Sequence, residues 1–63
     1  MSNSLFTLRS KLGLSQKDVA EKIGITTSHY GMIEIGKRTP SLIVAYKLAE
    51  FFATTIEKIF FNK

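Results

Sequence analysis

Single glycines and one proline divide this chain into blocks that have room only for short elements of secondary structure. Gly13, Gly24 and Gly36 follow three successive apolar blocks, and Pro40 lies a few residues after the third. Within the blocks the apolar residues recur three and four positions apart, which is the spacing of one helix face. No alternation of apolar and polar residues typical of a strand lasts five residues. The pattern therefore predicts an all-α fold.

The predicted helices have clear start signals. Ser or Thr stands just before the last four helices, where a side-chain oxygen can accept a hydrogen bond from a backbone N–H of the first turn. These residues are Ser15, Thr26, Ser41 and Thr55. Asp18 lies three positions after Ser15, which predicts a capping box with Asp in place of the usual Glu. With a first helix over about residues 4–12, we expect a compact five-helix bundle.

Helical spacing also predicts which residues face the core of this bundle. The first helix has an apolar stripe, and the later helices have inner faces of the same kind. The residues expected inside are Leu5, Leu8, Leu12, Val19, Ala20, Ile23, Tyr30, Ile33, Leu42, Ala45, Leu48, Ala49, Phe52, Ile56, Ile59 and Phe60.

The length and composition restrict what can stabilise such a fold. We expect residues 1–63 to form one domain, and a domain of this size buries only ~60% of its unfolded surface. The sequence has no cysteine, which excludes disulfides, and one histidine cannot build a zinc site. Uncharged runs are far shorter than the ~18 residues of a membrane span. Residues 1–4 lack the features of a signal peptide, so we expect a cytoplasmic protein with no membrane partner.

Catalysis is not indicated by any group of residues. His29 has no cysteine, serine or carboxylate at a spacing that implies a partner, and a lone helical His is usually a surface or core residue. The five acidic residues are scattered, and the glycines do not form a phosphate-binding loop after a strand. We therefore expect no enzyme, no cofactor and no small-molecule ligand.

The third predicted helix has an unusual outward face. With about 100° per residue from Thr27, Tyr30 and Ile33 fall on the core side. The opposite side carries no charge and contains Ser28, Gly31, Met32 and Ile35, with Thr27 at its border. Surface helices usually expose charged residues, whereas hydroxyls and methyl groups suit base edges in the major groove of DNA. A poorly charged surface or a protein interface remains an alternative.

Residues around this face favour a nucleic-acid partner. A helical glycine costs ~1 kcal/mol against alanine, and at Gly31 it removes bulk where a groove wall could approach. Gln16, in the first turn of the second helix, can reach a phosphate with help from the helix dipole. Lys17, Lys37 and Arg38 bracket the same side, and the net charge of +4 suits a polyanion. Phosphate contacts would position the protein, and base contacts would give specificity.

Two runs of the sequence carry a family resemblance. QKDVAEKIGI at 16–25 resembles Q-x-x-[LV]-A-x-x-[IVL]-G-[IV], and YGMIEIGKRTPS at 30–41 resembles I/Y-x-x-I-E-x-G-x-R-x-P-S. Both patterns belong to the Cro / lambda-repressor type (XRE-family) helix-turn-helix proteins, and residues 48–52 and 56–61 resemble the last two helices of that family. The resemblance covers about residues 5–61. It implies a lambda-repressor-like fold with a helix-turn-helix at about 16–35, and a homodimer that represses transcription from a palindromic double-stranded DNA operator.

The resemblance also implies roles for single residues. By position, the residues that read bases would be Thr27, Ser28 and Met32. The residues that contact phosphate would be Gln16, Lys37 and Arg38, and His29 lies beside the reading face and is a further phosphate candidate. The family pairs an Arg of the first helix with the Glu of its I-E-x-G run, which here implies an ion pair between Arg9 and Glu34.

The chain also departs from the family pattern. Ala53 stands where the family usually has a glycine with positive φ, so either this turn is strained or the fourth helix ends differently. Ile35 replaces a residue that is often polar or basic, which would weaken phosphate contact. Four apolar residues exceed what the core needs and predict a dimer interface: Ile43, Val44, Phe51 and Phe61. Packing on a tail or simple exposure is the alternative for them.

Three functions remain open on the sequence alone. The favoured function is a sequence-specific DNA-binding regulator of transcription in a prokaryotic cell. The second is an antitoxin or accessory protein whose main partner is another protein. The third is a helical module that binds only proteins and has lost its DNA contacts. Steep loss of DNA affinity with salt would support the first two.

Overall fold

Five short helices form the architecture of residues 3–61, which are the residues that the computed structural model describes. They are α1 (Leu5–Lys11), α2 (Gln16–Ile23), α3 (Thr27–Glu34), α4 (Leu42–Phe51) and α5 (Ile56–Phe60). No strand occurs between residues 3 and 61, so the predicted all-α fold is confirmed. Within the same residues, no helix has the length and apolar character needed to cross a bilayer.

The predicted caps fix where the helices start. Ser15 Oγ accepts a hydrogen bond from the Asp18 backbone N–H at 3.0 Å, and the Asp18 carboxylate accepts one from the Ser15 N–H at 2.9 Å, which confirms the capping box. The hydrogen bond that the Ser15 backbone N–H donates to the carboxylate is the main cause that lowers the pKa of Asp18, and the nearby Ser15 side chain lowers it further. Thr26, Ser41 and Thr55 cap the next three helices, each through a side-chain oxygen that accepts one hydrogen bond from a backbone N–H of the first turn. The left-handed Gly24, with φ of 88°, closes α2 just before the Thr26 cap, which forces a sharp turn between α2 and α3.

The core collects the inner faces of all five helices. It contains most of the residues predicted from the helical spacing. Ile56 and Leu8 are half-buried and pack against it. Its buried members are Leu5, Val19, Ala20, Ile23, Tyr30, Ile33, Ala45, Leu48, Ala49, Phe52, Ile59 and Phe60.

Two residues predicted inside are exposed. Leu42 is 78% exposed, because it is the first residue of α4 and lies beyond the core face that Ala45 and Leu48 begin. Leu12 is also exposed, because α1 ends at Lys11 and the chain turns away at this position.

Two residues predicted on the surface are half-buried instead. Val44 and Phe51 pack against the core, and the ring of Phe51 meets that of Phe52 edge to face at 4.9 Å between centroids. The inner stripe of α4 is therefore wider than the helical wheel indicates, because neighbouring elements cover its flanks.

The chain before α1 is fastened on two sides. The Asn3 side chain donates to the Ile33 carbonyl oxygen at the end of α3 (2.9 Å) and accepts a hydrogen bond from the Leu5 N–H (3.0 Å). The Ser4 N–H donates to the Ile59 carbonyl oxygen of α5 at 3.0 Å. These bonds hold the start of α1 against the ends of α3 and α5.

A buried carboxylate joins α1, α2 and α3. Arg9 donates from Nε and Nη2 to the two oxygens of Glu34 at 2.8 and 2.9 Å, so the ion pair implied by the family resemblance is present. Tyr30 Oη donates to the same carboxylate at 2.8 Å, and Gln16 Nε2 donates at 3.1 Å. A further Arg9 nitrogen reaches the Leu14 carbonyl oxygen at 2.9 Å. The Glu34 side chain is only 4% exposed, and all its charge is met by protein donors.

This environment holds the cluster in one protonation state. Burial alone raises the pKa of the Glu34 carboxyl, but the hydrogen bonds from Arg9, Tyr30 and Gln16 outweigh burial and lower it. Burial and the bond to Glu34 raise the pKa of the Tyr30 hydroxyl, which therefore stays a donor. The folded-state pKa of Glu34 lies below its ordinary pKa. The ionised carboxylate therefore stabilises the fold fully when the pH is above the ordinary pKa, and this stabilisation is lost as the pH falls through the lowered, folded-state pKa.

Ala53 takes the left-handed conformation that the family pattern assigns to glycine. Its φ is 55°, the one positive value among the non-glycine residues of the described chain. The Ala53 N–H donates to the Glu50 carbonyl oxygen (3.1 Å) and the Thr54 N–H to that of Ala49 (2.9 Å), which is a Schellman ending of α4. The turn is therefore kept, with the strain of a Cβ at this φ.

Replacement of Ala53 with glycine should stabilise the fold. Relief of ~1–2 kcal/mol of left-handed strain exceeds the ~0.4–1 kcal/mol of extra chain entropy, so we expect the free energy of unfolding to rise by ~0.5–1 kcal/mol. Urea unfolding measures the change, and Ala49→Gly, inside α4, is the control that should be destabilising. A loss of stability at position 53 would show that the turn carries no strain.

Arg9 and Glu34 should be energetically coupled. We expect a double-mutant cycle with Ala at both positions to give a coupling of ~1–3 kcal/mol near pH 7, because the pair is bidentate and largely buried. The coupling should fade as pH falls through the lowered pKa of Glu34. Urea unfolding of the four proteins at several pH values measures both effects. Zero coupling near pH 7 would mean that the two charges act independently.

Candidate nucleic-acid interface

The outer face of α3 has the composition and exposure predicted for it. Thr27, Ser28, Met32 and Ile35 are exposed and Gly31 is half-buried. Tyr30 and Ile33 lie in the core on the opposite side. The one acid of this helix, Glu34, is turned inward and neutralised by Arg9. The exposed face of α3 is therefore uncharged, and the base-reading role of its residues remains a prediction.

The start of α3 is fixed by its cap. Thr26 Oγ1 accepts a hydrogen bond from the His29 backbone N–H at 3.0 Å, and the Thr26 carbonyl oxygen accepts one from the Tyr30 N–H at 3.0 Å. Thr27 and Ser28 lie between these bonds, so their backbone is held in the first helical turn. His29 is half-buried beside them. Its predicted phosphate contact stays a prediction.

The end of α3 is fixed by a second Schellman turn. Gly36, with φ of 81°, donates its N–H to the Ile33 carbonyl oxygen at 3.1 Å. The N–H groups of Lys37 and Arg38 both donate to the Met32 carbonyl oxygen, at 2.9 and 3.1 Å. The backbone of Lys37 and of Arg38 is thus hydrogen-bonded to Met32, whose side chain lies on the outer face of α3.

Gln16 extends this surface from α2. Its Nε2 is bonded to Glu34, and its Oε1 lies 3.2 Å from the place where a Cβ on Gly31 would stand. Gln16 is therefore lodged between α2 and the middle of α3. Lys17 follows it and is exposed. The phosphate contact expected of Gln16 stays a prediction, and the sequence did not indicate its bond to Glu34.

The residues assigned to the dimer interface differ in exposure. Ile43 and Phe61 are 69% and 64% exposed. Val44 and Phe51 are half-buried against the core and offer less area. Two apolar side chains of α4 that the sequence did not assign to an interface, Leu42 and Tyr46, are also exposed.

Leu42 and Phe61 meet at one groove. Its walls also include Pro40, Ile56 and Phe60, and it is predominantly apolar. The position of Leu42 directly after the Ser41 cap was the sequence signal for its exposure, because the first residue of a helix often lies beyond the packed face.

No sequence signal indicated the hydrogen bond between the Asn3 side chain and α3, since the partner of Asn3 is a backbone carbonyl oxygen.

These features place the chain among known regulators. A helix-turn-helix family model matches residues 5–59. Three similar proteins, each aligned over 60 residues and 95% of this chain, are named HTH-type transcriptional regulators. They come from Methanocaldococcus jannaschii (43% identical, 91% of its length), Archaeoglobus fulgidus (37%, 86%) and, as YgzD, Bacillus subtilis (35%, 91%). With α2 and α3 as its helix-turn-helix, the chain belongs to the Cro / lambda-repressor type (XRE) family of helix-turn-helix transcriptional regulators.

Proposed function

We propose that this protein represses transcription by binding a palindromic DNA operator as a homodimer. The observation that carries the proposal is the uncharged, exposed face of α3, bounded at its end by Lys37 and Arg38. In helix-turn-helix docking the second helix enters the major groove and its N-terminal residues meet the base edges. A repressor of this kind acts on the chromosome, which places it in the cytoplasm of a prokaryotic cell.

The reading residues are Thr27, Ser28 and Met32. The two hydroxyls can donate or accept a hydrogen bond, and the Met32 side chain can contact the methyl group of a thymine. Because their backbone is held by the Thr26 cap and the helix, little ordering is required when DNA binds.

The phosphate contacts come from residues around that face. Lys17, Lys37 and Arg38 are exposed cations, and each would release about one counterion on binding. Gln16 and His29 would add hydrogen bonds to phosphate, Gln16 from the start of α2, where the helix dipole favours an anion.

The second copy in the proposed dimer is held by the exposed apolar residues of α4 and of the segment after α5. Ile43 and Phe61, with Leu42 and Tyr46, supply most of the exposed area, and Val44 and Phe51 supply its edge. A two-fold dimer would present two α3 helices to half-sites about one helical turn, ~34 Å, apart. A small domain also gains stability from such association.

An accessory protein with another protein as its main partner is the second candidate. The apolar groove of Leu42 and Phe61 favours it, because a foreign helix could fill the same groove. Both candidates bind DNA. They differ in what covers this apolar surface, which is a second copy of the chain in the repressor and a foreign protein in the accessory protein.

Reading and phosphate residues should respond differently to substitution. We expect Ser28→Ala to cost ~1–3 kcal/mol on the specific duplex, with little effect on a random duplex or on the salt slope. Arg38→Ala should weaken binding to both duplexes alike and reduce the salt slope by ~1. Fluorescence titration of each duplex at several salt concentrations, after selection of the operator from a random library, measures both effects.

The opposite pattern would overturn this division. If Arg38→Ala relaxed sequence preference while changes at Ser28, Thr27 and Met32 did not, α3 would not be the reading element. Lys37→Ala is the matched control, because its N–H is bonded to the same Met32 carbonyl oxygen and its loss should resemble that of Arg38.

Self-association should depend on Phe61 and Ile43. We expect Phe61→Glu or Ile43→Glu to shift the dimer towards monomer in sedimentation experiments, with and without operator, because a buried charge is costly at an apolar interface. Leu12→Glu is the control, since Leu12 is also an exposed apolar residue, at the end of α1, and lies outside the proposed interface. Unchanged self-association in both interface variants would place the contact elsewhere and favour a foreign partner for the groove.

A further inference from the structure

We infer that Gly31 is a positioning residue for DNA binding, which acts by leaving room for the Gln16 side chain between α2 and α3. The inference rests on the proposed function and adds to it a role for a residue that carries no side chain. The sequence led to a different expectation, in which the missing side chain of Gly31 lets the wall of the DNA groove approach α3 directly.

The orientation of the Gln16 amide is set by its neighbour. Glu34 is an ionised carboxylate and can only accept hydrogen bonds, so the Gln16 nitrogen must face it, at 3.1 Å. The amide oxygen is then turned towards α3, where an ideal Cβ on Gly31 would approach it to 3.2 Å. Ordinary van der Waals contact begins at about 3.4 Å, so any side chain at position 31 would press on this amide.

The cluster around Glu34 leaves Gln16 little freedom to retreat. Its amide is one of three side-chain groups that share the carboxylate, and the Arg9 and Tyr30 donors already occupy it at 2.8–2.9 Å. Displacement by a few tenths of an ångström would therefore lengthen the 3.1 Å bond or turn the amide outward. Either movement changes where the second N–H of Gln16, the group suited to a phosphate oxygen, is directed.

Helix propensity makes glycine unfavourable here on local grounds. In the middle of α3 it costs ~1 kcal/mol against alanine, and its φ is not in the positive range that requires glycine. The close approach of Gln16 is the feature of the described structure that accounts for a missing side chain at this position.

The contact that Gly31 would support has a distinct signature. Gln16 is neutral, so its bond to phosphate adds affinity on every sequence without releasing a counterion. Loss of that bond should weaken specific and random duplexes by the same factor and leave the salt slope unchanged. This differs both from Ser28, which should affect one sequence, and from Arg38, which should change the slope.

A double-mutant cycle on DNA affinity tests the inference. Wild type, Gly31→Ala, Gln16→Ala and the double variant are titrated with specific and random duplexes at several salt concentrations. We expect Gly31→Ala and Gln16→Ala each to weaken both duplexes by about tenfold, as for one hydrogen bond to a charged group, with unchanged slope. In the Gln16→Ala background, Gly31→Ala should change affinity by less than about twofold.

Two readouts on the free protein separate positioning from damage to the fold. The thermal midpoint of Gly31→Ala should stay close to that of wild type, because the helix propensity of alanine offsets the weakened bond between Gln16 and Glu34. A fall of many degrees would overturn the inference, because the loss of DNA affinity would then reflect damage to the fold. The side-chain amide resonances of Gln16 should shift in Gly31→Ala. Unshifted resonances would overturn the inference, because the methyl group would then leave Gln16 in place.

The remaining outcomes also decide between explanations. Additive losses from the two substitutions would show that DNA approaches Gly31 directly, and losses confined to the specific duplex would make position 31 part of base reading; both overturn the inference. Failure of the wild-type protein to prefer any duplex would instead contradict the proposed function. Preference for an operator with an additive cycle would contradict the role of Gly31 alone.

Discussion

The Glu34 carboxylate is the interaction on which the arrangement of the first three helices depends. A charge that is 96% removed from solvent is tolerated only when its hydrogen bonds are made inside the protein, and here Arg9, Tyr30 and Gln16 make them. An apolar residue could pack α3 on the core, but it would not select one rotation of α3 against α1 and α2. The carboxylate selects it through directed bonds, and the same bonds orient Gln16 on the outer surface.

Both ends of α3 are fixed by local backbone chemistry that complements this buried cluster. Thr26 sets the first turn, and the Gly36 turn carries Lys37 and Arg38 back to the Met32 carbonyl oxygen. Recognition of a duplex requires base contacts and phosphate contacts at fixed separations, because the spacing of the DNA itself is fixed. A helix of eight residues with both ends bonded supplies that spacing before DNA binds, so less conformational entropy is lost on binding.

The sequence predicts well those features that depend only on residues close together in the chain. The Ser15 capping box, the Thr26 cap and the two faces of α3 follow from spacings of three and four positions, and the structure confirms them. The partial burial of Val44 and Phe51 depends on where other helices pass, which a helical wheel does not contain. The fit of Gln16 against Gly31 is likewise a distance between two helices. The residue types of Gln16 and Gly31 indicated a surface for DNA. Only the packing of α2 on α3 shows that Gln16 bonds to Glu34 and lies against Gly31.

In the proposed dimer, α2 would fix the position of the DNA-binding face of α3 relative to the dimer interface on α4. It packs on α3 through the helix-turn-helix and also on α4, which carries Leu42, Ile43 and Tyr46. The separation of two α3 helices across a two-fold axis would then be set by the path from α4 through α2 to α3. Because α2 contributes Val19, Ala20 and Ile23 to the core, this path is a packed interior that changes shape only at the cost of cavities or strain. Half-site spacing on an operator would therefore be a property of the core as much as of the residues that contact DNA.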